Sequence, residues 1–483
     1  MILAVPAAQA VLRTPSATPM PAGAPLAGAP TPRPASYRFD LSLDADERTL
    51  SGRGSVTVTN TSGAPLGDVY MRLWANAPTL ARRGASATVG SVSVDGVASN
   101  ATLDGTVLRV PLATPLAAGA SATIDFATSI TIPPSMGRTG TGRDGSLYFG
   151  NMLPVVAVHD DEGWNLDPYV EAGESFYNQV GSWDVTLRAP AERQIISTGR
   201  TVQEQVDNGI RTTHISEPRA RDFLIVATTG YEQQSRDVDG TTVRVWSPKG
   251  DASTAAQMLD TAAKSLAFYN ARYGAYGRDE YDVVAVRGMG GGMEYPGIVL
   301  DDMSGSTSFL REVVAHETGH QWFYSNAGNN EFDDPWLDES FTSFITSEYL
   351  RTSAKRVAAA LEPGFRARTG LTTDAMQERE AATERPRISS PMNVLNNHGY
   401  FKIIYQRGAE LLEQLKHDLG EDAFVKGMRA HVAGTRDGIA TTGGFIATMS
   451  SAAGRDLTEW FKQHDVVASE PAANDKLDPN AEL

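Results

Sequence analysis

Residues 316–320, in the second half of the chain, have types and a spacing that suit metal chemistry. They read His-Glu-Thr-Gly-His, and residues four apart project from the same face of a helix. The imidazoles of His316 and His320 could therefore bind one ion, with Glu317 beside it as a base. The chain contains only eight histidines in 483 residues, so a pair at this spacing is informative.

The residues around this pair predict a helix with one buried face. At about 100° per residue, Phe309, Val313, His316 and His320 share one stripe, and Glu317 lies at its edge. Burying two imidazoles and a carboxylate without partners would cost several kcal/mol. A bound metal ion removes that cost. The alternative is a pair of core histidines satisfied by ordinary hydrogen bonds, and we favour the metal.

A second predicted helix offers a third ligand. Catalytic zinc takes three protein ligands and keeps one position open, and a chain without cysteine must use His, Asp or Glu. Asp334 and Pro335 suit the cap and the first turn of a helix. This helix would carry Glu339 on the side opposite an apolar stripe that includes Leu337 and Phe341. Taken alone, such a Glu is more often part of a solvated face.

Three motifs together resemble one peptidase family. The sequence of residues 316–320 is followed, after eighteen residues, by Glu339 within Trp-Leu-Asp-Glu-Ser at 336–340. This arrangement resembles the gluzincin peptidases, and more narrowly the alanyl aminopeptidase family, which includes the leukotriene hydrolases. Residues 291–296, Gly-Gly-Met-Glu-Tyr-Pro, are similar to the family's Gly-x-Met-Glu-Asn exopeptidase motif. Residues 405–409, Tyr-Gln-Arg-Gly-Ala, are similar to its Tyr-x-Lys/Arg-Gly segment.

The resemblance implies one Zn²⁺ per chain, bound by His316, His320 and Glu339. It implies that Glu317 deprotonates the attacking water and later delivers a proton to the leaving amine. Tyr405 would donate a hydrogen bond to the oxyanion of the tetrahedral intermediate.

The resemblance also implies how a substrate is held. Glu294 would bind the α-ammonium group, and Gly291, Gly292 and Met293 would line the path of the peptide. Tyr295 stands where the larger aminopeptidases usually have Asn. The family's second amine-binding residue, a Glu or Gln from the β domain, has no motif to mark it within residues 150–178.

The sequence therefore predicts a zinc-dependent aminopeptidase that hydrolyses the N-terminal peptide bond of peptides. A zinc endopeptidase is the alternative if Glu294 does not hold an amine. A non-catalytic binding or scaffold protein with a structural zinc is a third reading. Glu317 and Tyr405 argue against that reading, because a structural zinc site needs neither a base nor an oxyanion donor.

Charge and composition exclude several classes of function. The net charge of −16 and the pI of about 5.0 argue against nucleic-acid binding, since phosphate contacts need a basic face. An acidic surface instead attracts cations such as free amino termini. Without cysteine, no disulfide or thiolate nucleophile is possible. No run of apolar residues is long enough to predict a membrane-spanning helix.

The pattern along the chain predicts a multidomain α+β protein. Residues 1–35 read as a signal remnant and a Pro/Ala-rich leader, and 466–483 as an acidic tail. Residues 36–248 predict an antiparallel β saddle or sandwich. Residues 249–465 predict, with the resemblance, a thermolysin-like zinc peptidase domain without the helical C-terminal domain of larger relatives. The signal-like start favours a periplasmic or secreted protein over a cytoplasmic one, and we expect a monomer.

Overall fold

A computed structural model of the chain describes residues 34–170, 173–353, 386–392, 395 and 397–468. The predicted signal remnant and leader lie almost wholly outside the described residues, and so does most of the predicted acidic tail. No helix in the described ranges is long and apolar enough to cross a membrane.

The N-terminal part is built almost entirely of strands. They are β1 (Ala35–Leu43), β2 (Thr49–Thr59), β3 (Leu66–Arg72), β4 (Ser86–Val94), β5 (Val97–Ala98), β6 (Thr102–Asp104), β7 (Val107–Leu116), β8 (Ser121–Thr131), β9 (Gly140–Thr141), β10 (Leu147–Gly150), β11 (Val155–Val156), β12 (His159–Asp160), β13 (Gly163–Trp164), β14 (Gly181–Pro190), β15 (Gln194–Ser197), β16 (Arg200–Asp207), β17 (Ile210–Ala220) and β18 (Leu224–Thr228). A short helix α1 (Pro78–Arg82) follows a 3-10 turn (Trp74–Asn76).

These strands form one large sheet and smaller ones. The large sheet has the order β16-β17-β14-β1-β2-β8-β4-β5, and two four-stranded sheets have the orders β15-β18-β10-β9 and β11-β3-β7-β6. The large sheet has one buried face because side chains alternate along its strands. In β1, Tyr37, Phe39 and Leu41 are buried, and the residues between them are exposed. Tyr37 lies opposite Trp183 of β14, and their rings stack 4.1 Å apart. The predicted β-rich N-terminal part is confirmed.

The C-terminal part contains a five-stranded sheet and most of the helices. Its elements are β19 (Tyr231–Val238), β20 (Thr241–Pro248), α2 (Ala252–Tyr273), β21 (Glu280–Val286), β22 (Gly292–Tyr295), β23 (Ile298–Asp302), α3 (Thr307–Gly319), β24 (Ala327–Gly328), α4 (Trp336–Ser353), α5 (Asn397–Tyr400), a π-helical segment (Phe401–Arg407), α6 (Gly408–Leu419), α7 (Glu421–Gly434), β25 (Gly438–Ile439), α8 (Thr442–Ala453) and α9 (Thr458–Gln463).

The five-stranded sheet, in the order β19-β20-β21-β23-β22, carries the helices. Helix α3 packs against β22 and β23, and it also contacts α2 and α4. Helix α2 buries one face, because Met258, Leu266 and Tyr269, which recur at helical spacing, are all buried in the core. The predicted multidomain α+β fold is confirmed. Residues 35–228 form a β-rich part, and residues 231–463 form a mixed part of strands and helices.

Strands β19 and β20 end at or before residue 248, where the sequence predicts the boundary between the two domains. Both strands nevertheless belong to the five-stranded sheet, since β20 pairs in parallel with β21. The sheet therefore spans the predicted boundary.

Candidate metal centre and the carboxylates around it

Helix α3 brings the two histidines together as the spacing predicts. The hydroxyl of Ser306 caps the helix by accepting a hydrogen bond from the backbone N–H of Phe309 at 3.3 Å. At the other end, the N–H of His320 donates to the carbonyl of His316, also at 3.3 Å. The Nε2 atoms of His316 and His320 lie 3.1 Å apart.

Glu339, on the first turn of α4, completes a group of three. Its Oε2 lies 3.1 Å from His316 Nε2 and 3.6 Å from His320 Nε2. The side chain is not part of a solvated face, because Glu339 is only 2% exposed. Helix α4 is buried on nearly every side, so the side opposite its apolar stripe, which carries Glu339, is buried as well.

Asp338 and Thr342 determine which nitrogen of His320 is free. Asp338 Oδ1 lies 2.6 Å from His320 Nδ1, and the Thr342 hydroxyl lies 3.2 Å from the same nitrogen. An ionised carboxylate at that distance accepts a hydrogen bond from Nδ1–H. The lone pair of Nε2 is then directed toward His316 and Glu339, as a metal ligand requires.

The donor set fits zinc. Two imidazole nitrogens and one carboxylate oxygen are three ligands of the kind that zinc takes in catalytic sites. Ligand atoms bound tetrahedrally at about 2.0–2.1 Å lie about 3.3 Å from one another, close to the separations of 3.1 and 3.6 Å here. Facing lone pairs and a carboxylate repel at these distances unless a cation or a proton lies between them.

Tyr405 reaches this centre from the π-helical segment. Its hydroxyl donates a hydrogen bond to Glu339 Oε1, and its ring stacks on His316 with centroids 5.8 Å apart. Burial and the charge of Glu339 raise the pKa of Tyr405 well above its usual value, so the hydroxyl keeps its proton. A π-helical turn inserts an extra residue into a helix and commonly occurs at functional sites.

Glu317 lies on the inner face of α3, against the edge strand β22. It is only 5% exposed, so the predicted position at the edge of the stripe understated its burial. A Cβ atom on Gly292 would lie 2.3 Å from Glu317 Cγ, so only glycine leaves room for this carboxylate. Burial and the charge of Glu294 raise the pKa of Glu317, and a bound cation would act in the opposite direction.

Strand β22 places Glu294 beside Glu317. Glu294 is 4% exposed, and ligand atoms of Glu294, Glu317 and His320 all lie within 4.8 Å of one another. Gly292 and Met293, on the same strand, are half-buried, and so is Gly291 just before it. Because β22 is the last strand of its sheet, its outer edge can pair with an extended peptide.

Glu174 is the residue that the sequence did not identify. It lies between β13 and β14, within the region 150–178 that lacks a recognisable motif, and it forms a buried ion pair with Arg138. After burial, its charge is the largest influence that raises the pKa of Glu294. The two carboxylates therefore lie near each other, although no local spacing around Glu174 could have indicated this.

Tyr295, in place of the family's Asn, connects the two parts of the site. Its side chain is fully buried, and its hydroxyl donates to the carbonyl of Arg138 at 3.2 Å. Gln321, next to His320, donates to the carbonyl of Tyr295 at 3.1 Å. The exopeptidase-like strand is thus fixed both to the β-rich part and to α3.

Comparisons with known proteins show what this chain is similar to. Residues 257–464 match the model of the Peptidase family M1 domain. Aminopeptidase M1-B of Oryza sativa subsp. japonica is 27% identical over 307 residues, which cover 58% of this chain and 34% of that protein. Aminopeptidase N of Lactococcus lactis subsp. lactis is 23% identical over 477 residues, covering 90% of this chain and 52% of that protein.

A solved structure shares the fold. It is a mutant M1 zinc metallopeptidase from Deinococcus radiodurans bound to a Tyr-Ser-Ala substrate, and it aligns with a TM-score of 0.61 at 16% identity. The alignment covers 92% of this chain and 97% of that chain. By contrast, this chain spans only 34% of the length of the rice relative.

Proposed function

We propose that this chain is a zinc-dependent aminopeptidase that hydrolyses the N-terminal peptide bond of peptides, as the match of residues 257–464 to the Peptidase family M1 domain suggests. The observation that carries the proposal is the position of Glu294. Its carboxylate lies beside Glu317 and the metal-binding group in a buried site. That position suits a group that holds a substrate's ammonium next to the reacting bond.

In this proposal, His316, His320 and Glu339 hold the zinc ion. Zinc in such a site lowers the pKa of a bound water and polarises the scissile carbonyl. Glu317 takes the proton of the attacking water and passes it to the leaving amine, which requires a base within hydrogen-bonding reach of both. Tyr405 gives up its hydrogen bond to Glu339 and donates to the oxyanion as that charge develops.

Glu294 and Glu174 hold the free amino terminus. Two carboxylates near one another in a buried place repel, and a substrate ammonium between them relieves that repulsion. Arg138 compensates part of the charge of Glu174. A peptide seated along the edge of β22, with its ammonium held at Glu294, presents its first peptide bond to Glu317 and Tyr405.

Replacing Glu294 with Gln tests this assignment. A hydrogen bond to a charged group contributes about 1.5–3 kcal/mol, so we expect kcat/KM on peptides with free N-termini to fall about 10- to 150-fold. Glu174→Gln should lower the same parameter by a smaller factor, because Arg138 already shares the charge of Glu174. The measurement is the initial rate of amino-acid release from a series of short peptides.

The matched control is the same peptide series with acetylated N-termini. An aminopeptidase leaves these peptides intact, whereas an endopeptidase cleaves both series. If Glu294→Gln reduced cleavage of free and acetylated peptides equally, the endopeptidase alternative would replace this proposal. A chain that bound zinc but cleaved neither series would favour the scaffold alternative.

We also propose that the chain acts as a monomer and that it is located in the periplasm or outside the cell. The signal-like start, with Ala8-Gln9-Ala10 as a small-residue cleavage site, supports the location. Mass measurement in solution tests the monomer directly.

A further inference from the structure

The path of the peptide continues beyond the metal centre along the glycine-rich turn that precedes β22. In the proposed function Glu294 holds the ammonium, and Glu317, which acts at the first peptide bond, lies against Gly292. A peptide bound at both places runs opposite to the direction of β22. Its later residues therefore pass Gly290 and Gly288, both of which are exposed.

Asp302, at the end of β23, fixes the shape of this turn. Its Oδ2 accepts hydrogen bonds from the backbone N–H groups of Gly288 at 3.1 Å and Gly290 at 2.6 Å. Both glycines have positive φ angles, 83° and 78°, and their N–H groups converge on one carboxylate as in an anion-binding nest. Because hydrogen bonds to a charged group are strong, the turn is held in place and the path keeps a constant length.

Arg143 lies beside the turn, at the tip of the hairpin that joins β9 to β10. A Cβ atom on Gly288 would lie 3.9 Å from Nε of Arg143. The side chain is exposed, and within the described residues its guanidinium group forms no hydrogen bond or ion pair. An unpaired arginine in a chain with a net charge of −16 is available to bind an anion from outside.

The hairpin is anchored to the strand that leads into the turn. Next to Arg143, the carboxylate oxygen Oδ2 of Asp144 lies 3.0 Å from the hydroxyl of Tyr231. The same hydroxyl lies 3.2 Å from the carbonyl oxygen of Ala285 in β21. The backbone of Arg143 is therefore fixed relative to the turn, and the guanidinium group stays beside the path.

We propose that Arg143 binds the C-terminal carboxylate of short peptide substrates and so determines which peptides this chain prefers. The inference rests on the proposed function, because Glu294 must seat the peptide. The chain from Gly292 back to Gly288 spans at most about 14 Å, which an extended peptide covers in about four residues. The carboxylate of a peptide of about three to five residues therefore reaches Arg143, which offers it two parallel N–H donors.

The test uses pairs of peptides that differ only at the C-terminus, one a free acid and the other an amide. Both members have a free N-terminus, and release of the first residue is measured at low ionic strength. We expect kcat/KM of the wild type to be about 2- to 10-fold higher for the acid. The difference should lie in KM, because the carboxylate is bound equally in the ground state and the transition state.

An acid preference would be specific evidence for a local cation. The net charge of −16 repels carboxylates, so the overall field of the protein favours the amide. Peptides of about ten residues extend past Arg143, and for them we expect no preference for the acid.

Variants of two neighbouring arginines separate this site from general electrostatics. Arg143→Gln should abolish the acid preference, and Arg143→Glu should reverse it, because a carboxylate there repels the substrate's own. Arg287→Gln is the matched control. Arg287 is exposed in the same turn, but its guanidinium group pairs with Asp251 at 2.7 Å, so this variant should keep the wild-type preference.

The outcomes are distinct. An acid preference of equal size in the wild type and Arg143→Gln would overturn the proposal, because another group would then bind the carboxylate. A wild type that cleaves acid and amide equally well at every length would overturn it too. If the wild type released no N-terminal residue from either form, the proposed function itself would be refuted.

Discussion

Glu317→Gln is expected to lower turnover of peptides by about 10²–10⁴ while the zinc content stays at one per chain. General acid–base help by a positioned side chain contributes a factor of that size, and an amide cannot accept and return the proton. The metal should remain, because the group formed by His316, His320 and Glu339 does not include Glu317. The measurement is kcat beside zinc content, on the same preparation.

His320→Ala is the matched control for that experiment. His320 is 1% exposed and is held by Asp338, so its loss removes a ligand from the centre of the site. This variant should lose both zinc and turnover, whereas Glu317→Gln should lose turnover alone. Normal turnover in Glu317→Gln would remove Glu317 from the mechanism.

Tyr405→Phe should lower kcat by about 10²–10³ with little change in KM. This is the usual cost of removing one donor to an oxyanion, and the bond strengthens mainly in the transition state. The ring contact with His316 is apolar and survives the change. The lost hydrogen bond to Glu339 Oε1 is the reason to measure zinc content in parallel.

Tyr400→Phe controls for the loss of a phenol near the site. Tyr400 is fully buried, its ring lies 5.8 Å from that of Tyr405, and its hydroxyl has no hydrogen-bond partner among the described residues. We expect this variant to keep the wild-type kcat. If Tyr405→Phe raised KM and left kcat unchanged, Tyr405 would be a binding residue rather than an oxyanion donor.

The parts of the site that the sequence predicted depend on local spacing. The pair His316 and His320 lies on one helix, and the helical period alone brings their nitrogens together. The strand that carries Glu294 was found through its motif. The β-rich character of residues 36–248 was likewise predicted from local pattern, since side chains of a strand alternate between its two faces.

The parts that the sequence did not predict depend on contacts between distant segments. The charge of Glu174 acts on Glu294 because a loop of the β-rich part reaches the mixed part, and an ion pair with Arg138 holds Glu174 there. The hydroxyl of Tyr295 donates to the carbonyl of Arg138 across the same junction. Neither interaction leaves a periodic pattern, because each joins one residue to one other residue across the fold.

The position of Tyr405 was predicted by resemblance, but its geometry was not. The sequence around it has an ordinary helical composition, and a period of 3.6 residues does not indicate an extra residue in the turn. Helical periodicity alone did not show that Glu339 is buried, and the motif was what marked it as a ligand. A buried polar residue does not stand out by its period on a helix such as α4, which has almost no solvated face.

The five-stranded sheet has a consequence for attempts to divide the chain. A fragment that ended at residue 248 would retain β19 and β20 but lose β21, whose backbone pairs with β20. The exposed edge of β20 would then present unpaired N–H and C=O groups, which favour aggregation. Arg221 also donates to the carbonyls of Ser325 and Gly438 in the mixed part, so hydrogen bonds tie the β-rich part to the mixed part at a second place. The two parts are therefore expected to unfold cooperatively rather than as separable modules.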